Sequence, residues 1–210
     1  MRTTFHQELE RIDQQLIGMT QLVQSAMGRA TTALLETDRV LADEVISDDA
    51  TIDALRREID DNILHVLATQ QPVAGDLRAL VAGLRIDRDL ERMGDLARHI
   101  AEATVAEFPH PVVPIGLHGV VHSMNRVALR MAEQAKEAIG YREQDSAAEL
   151  SRQDNEMDSM QAALYRELLY SDESVRTALD LALIGRYYER YADHAVSVAE
   201  NVAFEIGALV

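Results

Sequence analysis

Two short segments of the sequence carry the same spacing of carboxylates. The first is DLERMGDLARHIAE, residues 89–102, and the second is YYERYADHAVSVAE, residues 187–200. Each contains Glu-Arg-x-x-Asp, which places two carboxylates four residues apart on one face of a helix. Like charges at this spacing repel each other slightly, and their burial is costly unless they are paired. The pattern therefore predicts a compensating cation beside each pair, either a metal ion or an arginine.

Two further pairs of acids could complete these sites. Asp49 and Asp53 lie four residues apart in DDATIDAL, and Asp154 and Asp158 lie four apart in QDNEMDSM. Packing of the helices that carry them against the Glu-Arg-x-x-Asp helices would bring four carboxylates together in each half. Such an oxygen-rich site suits Mg²⁺, Mn²⁺, Ca²⁺ or oxidised iron better than zinc or copper. The predicted metal ligands are Glu91, Asp95, Asp49 and Asp53 in one half, and Glu189, Asp193, Asp154 and Asp158 in the other.

Arginine could neutralise the same acids without any metal. Two arginines lie at or just before each Glu-Arg-x-x-Asp motif, Arg88 and Arg92 in one repeat and Arg186 and Arg190 in the other, so a salt-bridge network between helices is the alternative to a metal site. The sequence has 36 acidic residues, enough to produce several acid pairs at this spacing by chance. The repetition, rather than any single pair, therefore indicates a site. Possible additional ligands on the charged faces are His99, Glu102 and Glu200.

The two segments belong to a longer internal repeat. Residues 85–102 and 183–200 align with a shift of 98 residues, and 8 of the 18 aligned positions are identical. Chance at average residue usage predicts about one identity. The sequence therefore predicts a duplication. In the first copy, the identical positions are Ile86, Arg88, Glu91, Arg92, Asp95, Ala97, Ala101 and Glu102.

The duplicated halves are predicted to be helical. Apolar residues recur at alternating spacings of three and four from Phe5 to Ala33 and again from Leu117 to Ala138, which is typical of long helices in a bundle. Asp76 and Ser146 have the character of helix N-caps. Further helices are predicted over residues 39–69, 76–108, 146–170 and 174–207.

A segment with three prolines, FPHPVVP at residues 108–114, lies near the middle of the chain and marks a break between helices. The predicted fold is all-α, with six long antiparallel helices in tandem duplicated three-helix bundles. The first bundle is predicted over residues 1–108 and the second over residues 115–210, joined by residues 109–114.

Composition and missing motifs exclude several functions. The chain of 210 residues has no cysteine and a net charge of −16, which disfavours thiol chemistry and binding to nucleic acid. The N-terminal residues have no apolar core typical of a signal peptide, and no stretch is apolar enough to insert into a membrane. Phosphate loops and His-Glu-x-x-His motifs are missing. The sequence thus favours a non-enzymatic protein, with a metal-dependent carboxylate-bundle enzyme or a purely structural helical scaffold as the alternatives.

Over essentially its whole length, the chain resembles the PhoU family of phosphate-transport regulatory proteins. The resemblance rests on MRTTFHQEL at the start, on TQQPVAGDLR at residues 69–78, and on LERMGDLARHIAE and YERYADHAVSVAE. It is looser at YSDESVRTA, residues 170–178. It implies two three-helix bundles, often dimeric, with metal clusters whose ligands here would be Glu91, Asp95, Glu189 and Asp193. Iron, manganese, magnesium and zinc all remain open as the metal, since family members commonly have Asn where this chain has His99 and Ser197.

The resemblance also implies a function. A protein of this family would be a cytoplasmic negative regulator of phosphate uptake and of the phosphate-starvation response. As an adaptor, it would link the ATPase subunit of the phosphate ABC transporter to the sensor histidine kinase of a two-component system. A homodimer is expected, with neither nucleic acid nor direct membrane insertion involved.

Overall fold

The computed structural model describes residues 2–142 and 145–207, with side chains described from Phe5 onward. Within these ranges the chain forms six long α-helices and no strand, which confirms the all-α prediction. A short 3₁₀ helix, Ile115–Leu117, follows the proline-rich segment. The helices are α1 (Arg2–Glu36), α2 (Arg39–Gln70), α3 (Gly75–Glu107), α4 (His118–Tyr141), α5 (Ser146–Tyr170) and α6 (Val175–Glu205).

The predicted helix ranges agree with the structure to within two residues, but two predicted N-caps are wrong. α3 is preceded by Ala74, whose φ angle is 48°, so Asp76 lies inside the first turn. α5 has Asp145 in the cap position, without a side-chain hydrogen bond, and Ser146 is already helical. In both places the helix begins one or two residues earlier than the polar side chain suggested. Ser174 does cap α6, where its hydroxyl accepts a hydrogen bond from the Thr177 backbone N–H at 3.1 Å.

Helices α1, α2 and α3 pack together, as do α4, α5 and α6. The two trios are joined by contacts of α3 with α6 and of α1 with α4. Their apolar side chains form one continuous core built from aliphatic residues, alanines and methionines such as Met19 and Met131. The division into units at residues 109–114 therefore stays a prediction, and residues 1 and 208–210 at its outer ends lie outside the described residues.

Helix α3 runs antiparallel to α6, and this contact is called the seam below. Near one end of the seam, the Arg85 guanidinium lies 4.8 Å from the centre of the Phe204 ring. At the other end, Arg176 Nε donates a hydrogen bond to Glu107 at 2.9 Å. An early residue of α3 thus meets a late residue of α6, and the reverse holds at the other end. The seam therefore relates the two repeats by an approximate two-fold axis.

A buried polar cluster also ties the two trios together. The Tyr188 hydroxyl of α6 lies 2.6 Å from Thr31 Oγ1 of α1, and the same Thr31 oxygen lies 3.0 Å from Asn125 Oδ1 of α4. Thr31 Oγ1 is also 2.8 Å from the Met27 carbonyl oxygen, which can accept its proton. Tyr188 is fully buried. Since a buried hydroxyl without a partner is costly, this cluster favours one relative placement of α1, α4 and α6.

Replacement of Tyr188 by Phe tests the contribution of this cluster. Loss of the hydrogen bond to Thr31 should lower the free energy of unfolding by about 1–2 kcal/mol, which lowers the Tm by about 3–6 °C for a chain of this size. Thermal melts followed by circular dichroism measure the change. The control is Tyr187→Phe, the same substitution one residue earlier, where the residue is only partly buried; its Tm should change by less than about 2 °C. Equal shifts in the two variants would contradict the role given to the cluster.

Candidate functional site

The acids predicted as metal ligands lie where the second and third helices of each repeat pack together. In the first repeat this is the contact of α2 with α3, and Gly94 allows a close approach there. A Cβ atom on Gly94 would lie 3.0 Å from Ile52 Cδ1 and 3.5 Å from Asp49 Oδ1. The missing side chain therefore lets α2 place Asp49 beside the acids of α3.

Arg98 lies at the centre of this first acid cluster, which consists of Asp49, Asp95, Glu91 and Glu102. Its Nε atom is 2.8 Å from Asp49 Oδ2, and its Nη2 atom donates to Asp95 Oδ1 at 2.8 Å. Its Nη1 atom donates to Glu102 Oε1 at 2.7 Å. One guanidinium thus joins three carboxylates and bridges α2 to α3. The arginine network that the sequence left open as an alternative is present in this repeat.

Burial and the charge of Arg98 shift the pKa values of Asp49 and Asp95 in opposite directions. Burial by itself raises the pKa of Asp95, but hydrogen bonds from Arg98 and Arg92 hold the pKa below its ordinary value. Burial also raises the pKa of Asp49, and there the nearby charge of Arg98 compensates only in part. The ionised form of Asp95 is therefore well stabilised, whereas the ionised form of Asp49 is less stable than it would be in water.

The other predicted ligand on α3, Glu91, lies at the edge of the cluster between two arginines. Its Oε2 atom is 3.4 Å from Arg92 Nε, and its Oε1 atom is 3.8 Å from Arg56 Nη1. Asp53 is exposed, and its charge contributes to the raised pKa of Asp49. The structure thus brings together three of the four predicted ligands, all paired with arginine, and leaves Asp53 at the rim.

The second acid cluster lies between α5 and α6 and is balanced differently. It contains the four predicted ligands Asp154, Asp158, Glu189 and Asp193. Arg186 pairs with Glu189 one turn away on the same helix. Within the described part of the chain, the three aspartates make no ion pair. Asp154 Oδ1 and Glu189 Oε2 are also buried without a hydrogen-bond partner there.

Mutual repulsion of the acids appears in the pKa values of this second cluster. Burial, followed by the charges of Asp193 and Asp158, raises the pKa of Asp154 to about 6. Burial and the charge of Asp193 also raise the pKa of Glu189, although Arg186 opposes the shift. Carboxylates that repel one another around buried, unpaired oxygens provide the donor set that a hard cation prefers.

One aligned position accounts for much of the difference between the two clusters. Under the shift of 98 residues, Arg98 of the first repeat is aligned with Val196 of the second. The first repeat therefore supplies its own cation, and the second has an apolar side chain at the equivalent position. The ligand acids are the same in both repeats, but the compensating charge is not.

Of the three additional candidate ligands, Glu102 belongs to a cluster, whereas Glu200 and His99 lie elsewhere. Glu102 belongs to the first cluster through Arg98, whereas Glu200 is exposed on α6. His99 lies at the seam, where its ring stacks against Tyr187 at a centroid distance of 5.3 Å. Among the residues with described side chains, no three acidic or histidine side chains converge closely enough, as they stand, to hold one metal ion. Binding in either repeat would require rotation of these side chains.

A third acidic feature, formed by Asp87 and Asp60, was missed by the sequence analysis. Asp87 of α3 has a relative exposure of 1%. Burial, followed by the charge of Asp60 on α2, raises its pKa to about 8. Asp87 is therefore protonated in the folded protein at neutral pH, although the nearby Arg56 partly opposes the shift. The available signal was its spacing from Gly83, Leu90 and Gly94, which places it on the buried face of α3.

Comparison with known proteins identifies relatives that match almost the whole chain. The chain matches the PhoU domain twice, over residues 16–104 and residues 121–202. It is 38% identical over 207 residues to the phosphate-specific transport system accessory protein PhoU homolog 2 of Mycobacterium tuberculosis, covering 98% of this chain and 97% of the relative. The corresponding homolog of Rhizobium meliloti is 30% identical over 206 residues, covering 96% of this chain and 86% of its own.

Two crystal structures have the same fold. PhoU from Pseudomonas aeruginosa superposes with a TM-score of 0.87 at 28% identity, covering 98% of this chain and 100% of that chain. The phosphate transport system regulatory protein PhoU from Streptococcus pneumoniae gives a TM-score of 0.88 at 25% identity, with 98% of each chain covered. The chain therefore belongs to the PhoU family. No helix in the described ranges is long and apolar enough to cross a membrane.

The buried acid Asp87 leads to a prediction about pH. In the unfolded chain its pKa is near 3.8, whereas in the folded protein it is about 8. Between these values the folded state binds the extra proton, so the stability due to Asp87 is greatest at low pH and is lost as the pH rises towards 8. Asn has nearly the same shape and stays neutral. Asp87→Asn should therefore raise the Tm at pH 8 by at least about 2–4 °C, equivalent to about 1 kcal/mol, and should have little effect at pH 4.

Melting curves of Asp87→Asn and wild type from pH 4 to pH 9 measure this difference. Asp61→Asn, an exposed aspartate on α2, removes the same formal charge and serves as the control; its Tm difference from wild type should vary little with pH. A Tm difference for Asp87→Asn that does not grow between pH 4 and pH 8 would show that Asp87 is ionised in the folded protein.

Proposed function

We propose that this chain is a non-enzymatic accessory protein of phosphate transport, which restrains phosphate uptake and the phosphate-starvation response when phosphate is plentiful. The observation that carries the proposal is the match along 98% of the chain to relatives named as accessory proteins of the phosphate-specific transport system. A solved relative of the same fold is described as a regulatory protein. The coverage supports carrying over a whole-protein role rather than the role of one domain.

We further propose that the protein acts in the cytoplasm as an adaptor. It would link the ATPase subunit of the phosphate ABC transporter to the sensor histidine kinase, and a homodimer would allow one assembly to engage two partners. The net charge of −16 suits docking on basic surfaces of such partners. Exposed apolar side chains near the α5–α6 turn, such as Tyr170 and Val175, add surface that a partner could cover.

A metal site in the second repeat forms the second part of the proposal. Asp154 and Asp158 of α5, with Glu189 and Asp193 of α6, would hold a hard cation. The buried oxygens of Asp154 and Glu189 without a hydrogen-bond partner support this placement, because a bound cation would satisfy both. Iron, manganese and magnesium suit the oxygen ligands better than zinc. The cation would brace α5 against α6, as Arg98 braces α2 against α3.

The first repeat fits a metal less well. Arg98 already contacts Asp49 and Asp95, and a metal ion would have to displace its guanidinium from both. We therefore propose that Glu91, Asp95, Asp49 and Asp53 bind metal more weakly than the second cluster. For the first repeat, we favour a structural role in which the acids bind Arg98 and hold α2 against α3.

Deletion of the gene tests the regulatory role. Phosphate-starvation genes should be expressed in medium rich in phosphate when the regulator is missing, because the signal that represses them would no longer reach the kinase. Reporter expression in the deletion strain, in the wild type and in a strain complemented with the intact gene measures the effect. Repression that persists unchanged in the deletion strain would contradict the proposed function.

Paired amide substitutions test the metal site. Glu189→Gln with Asp193→Asn keeps side-chain size but removes two ligand charges, so bound Mn²⁺ or iron should fall to background. Metal at 100 times its Kd stabilises wild type by about 2.7 kcal/mol, and this variant should lose that stabilisation. Elemental analysis and melts with chelator or with Mn²⁺ provide the two measurements.

The matched control is Glu91→Gln with Asp95→Asn in the first repeat, which should bind metal as wild type does. Arg98→Val, which introduces the residue of the second repeat, should create additional metal binding in the first. Metal loss confined to the first-repeat variant would contradict the proposed role of Arg98, and a wild-type Tm that is indifferent to metal would contradict the site itself.

A further inference from the structure

A second charged site lies at the seam, on a face of α6 rotated by about 100° from the face that carries its acid cluster. A cavity of about 490 Å³ opens there between α3 and α6. Four arginines line it: Arg85, Arg88 and Arg92 from α3, and Arg190 from α6. The whole chain has only 20 basic residues against 36 acidic ones. Four arginines around one cavity are therefore a local reversal of charge in an acidic protein.

Two of these arginines have no competing partner. Within the described part of the chain, the side chains of Arg88 and Arg190 make no hydrogen bond or ion pair. Arg92 is partly engaged by Asp95, to which its Nη1 atom donates at 2.7 Å. Arg85 lies over the Phe204 ring, a contact that holds the guanidinium by its face and leaves its N–H groups free. The cavity thus offers several unused guanidinium donors, which suit phosphate oxygens.

Asp89 is the one acidic side chain that lines the cavity, and its position is fixed by three neighbours on α6. Ser197 Oγ donates to Asp89 Oδ2 at 2.7 Å, and Asn201 Nδ2 donates to the same oxygen at 3.3 Å. His194 Nδ1 lies 3.0 Å from Asp89 Oδ1. The carboxylate is therefore held among arginines, and Oδ1 keeps a lone pair for a further donor.

From this arrangement we propose that the cavity binds inorganic phosphate. The arginines would bind the deprotonated oxygens of the ion, and Asp89 would accept a hydrogen bond from its remaining proton. A cavity lined by arginine alone would bind any small dianion. The carboxylate adds a requirement for a donor on the ligand, because an anion without a proton would face Asp89 with unpaired lone pairs and like charge.

This requirement distinguishes inorganic phosphate from similar anions. Near neutral pH, inorganic phosphate keeps at least one proton. Sulfate has none, and a phosphate monoester, whose second pKa is about 6, is mostly a dianion without one. The site should therefore prefer inorganic phosphate to both sulfate and AMP, even though the cavity is large enough for a bigger ligand.

The equivalent position in the other half of the seam is built from different residues. Under the approximate two-fold axis, Asp89 corresponds to Tyr187, and Ser197 corresponds to His99. Those two rings lie in tilted contact at a centroid distance of 5.3 Å, so aromatic groups occupy the equivalent position. Small polar side chains replace that ring pair on the Asp89 side.

The proposal goes beyond the proposed function and does not depend on it, since binding is measured on purified protein. A regulator of phosphate uptake could function without this cavity, and the cavity could bind phosphate in a protein with another role. Were both true, phosphate would reach the regulator directly. Deletion phenotypes and binding measurements therefore fail independently of each other.

The experiment is isothermal titration calorimetry of the full chain with inorganic phosphate, sulfate and AMP at pH 7.5 and constant ionic strength. We expect phosphate to bind with a Kd of about 1 mM or lower, and sulfate and AMP to bind at least about tenfold more weakly. Absence of phosphate binding up to about 10 mM would overturn the proposal. Equal affinity for sulfate would also overturn it, because that result removes the requirement for a ligand proton. Tighter binding of AMP would overturn it as well, because the cavity would then select a nucleotide rather than inorganic phosphate.

Substitutions locate the binding. Arg88→Gln with Arg190→Gln should weaken phosphate binding by at least about tenfold without lowering the Tm, since neither side chain has a partner to lose. The control, Arg126→Gln with Arg166→Gln, removes two exposed arginines outside the cavity and should change the Kd by less than about twofold. An equal effect of both pairs would mean that only overall charge matters and would contradict the site.

Asp89→Asn tests the role of the carboxylate. The amide can both accept and donate, so sulfate should now bind about as tightly as phosphate, and the ratio of the two Kd values should fall to about one. The ratio is informative even where the substitution alters both affinities through Ser197 or Asn201. A preference for phosphate that survives in Asp89→Asn would contradict the proposed proton contact.

Discussion

Carboxylates taken out of water between packed helices need a positive charge, a proton or a ligand, and the acids of this chain follow that rule in different ways. Asp49 and Asp95 share the guanidinium of Arg98. Asp87, with 1% exposure, keeps its proton. In the second cluster, Asp158 and Asp193 are exposed, whereas Asp154 and Glu189 are partly buried with little internal compensation. The same cost of burial therefore gives a structural brace in one place, a neutral acid in another and a candidate ligand site in the third.

Divergence of the two repeats at facing positions creates these differences. Arg98 is aligned with Val196, and Asp89 with Tyr187. Both of these substitutions affect charged or boundary positions rather than the buried core. Asp87 is aligned with Gly185, where a Cβ atom would lie 3.0 Å from Leu164 Cδ2. The second repeat therefore has no room for a counterpart of the buried acid.

Periodicity predicted the helices well because long amphipathic stripes depend on a backbone repeat that is local in sequence. The approximate location of the acid clusters could be predicted in the same way, since acids four residues apart share a helix face. The partners of those acids could not be predicted in this way. Whether Arg98 or Arg88 reaches Asp49 depends on how α2 crosses α3, which the close approach at Gly94 decides. Asp87 was missed because the sequence does not distinguish a buried acid from an exposed one until the packing of the facing helix is known.

The contacts at the seam between α3 and α6 could not be predicted from the sequence for a related reason. Asp89 and Ser197 are 108 residues apart, and their contact exists only because α3 lies antiparallel to α6. His99 is a candidate metal ligand because it falls on the charged face of its own helix, and its ring packs beside Tyr187 of the facing helix. Residue type and spacing thus indicated which helices carry charge, and only the packing indicated which charges meet.

Helix α6 connects the two charged sites through adjacent residues. Glu189 and Asp193 belong to the acid cluster facing α5, and the next residues, Arg190 and His194, line the cavity facing α3. One rigid helix therefore carries a negative site and a positive site on different faces, a single residue apart. A cation bound by the acids would reduce the negative potential at the cavity, and an anion in the cavity would favour the cation in turn. The sign of this coupling follows from the opposite charges of the two ligands, and by thermodynamic reciprocity each site would strengthen binding at the other.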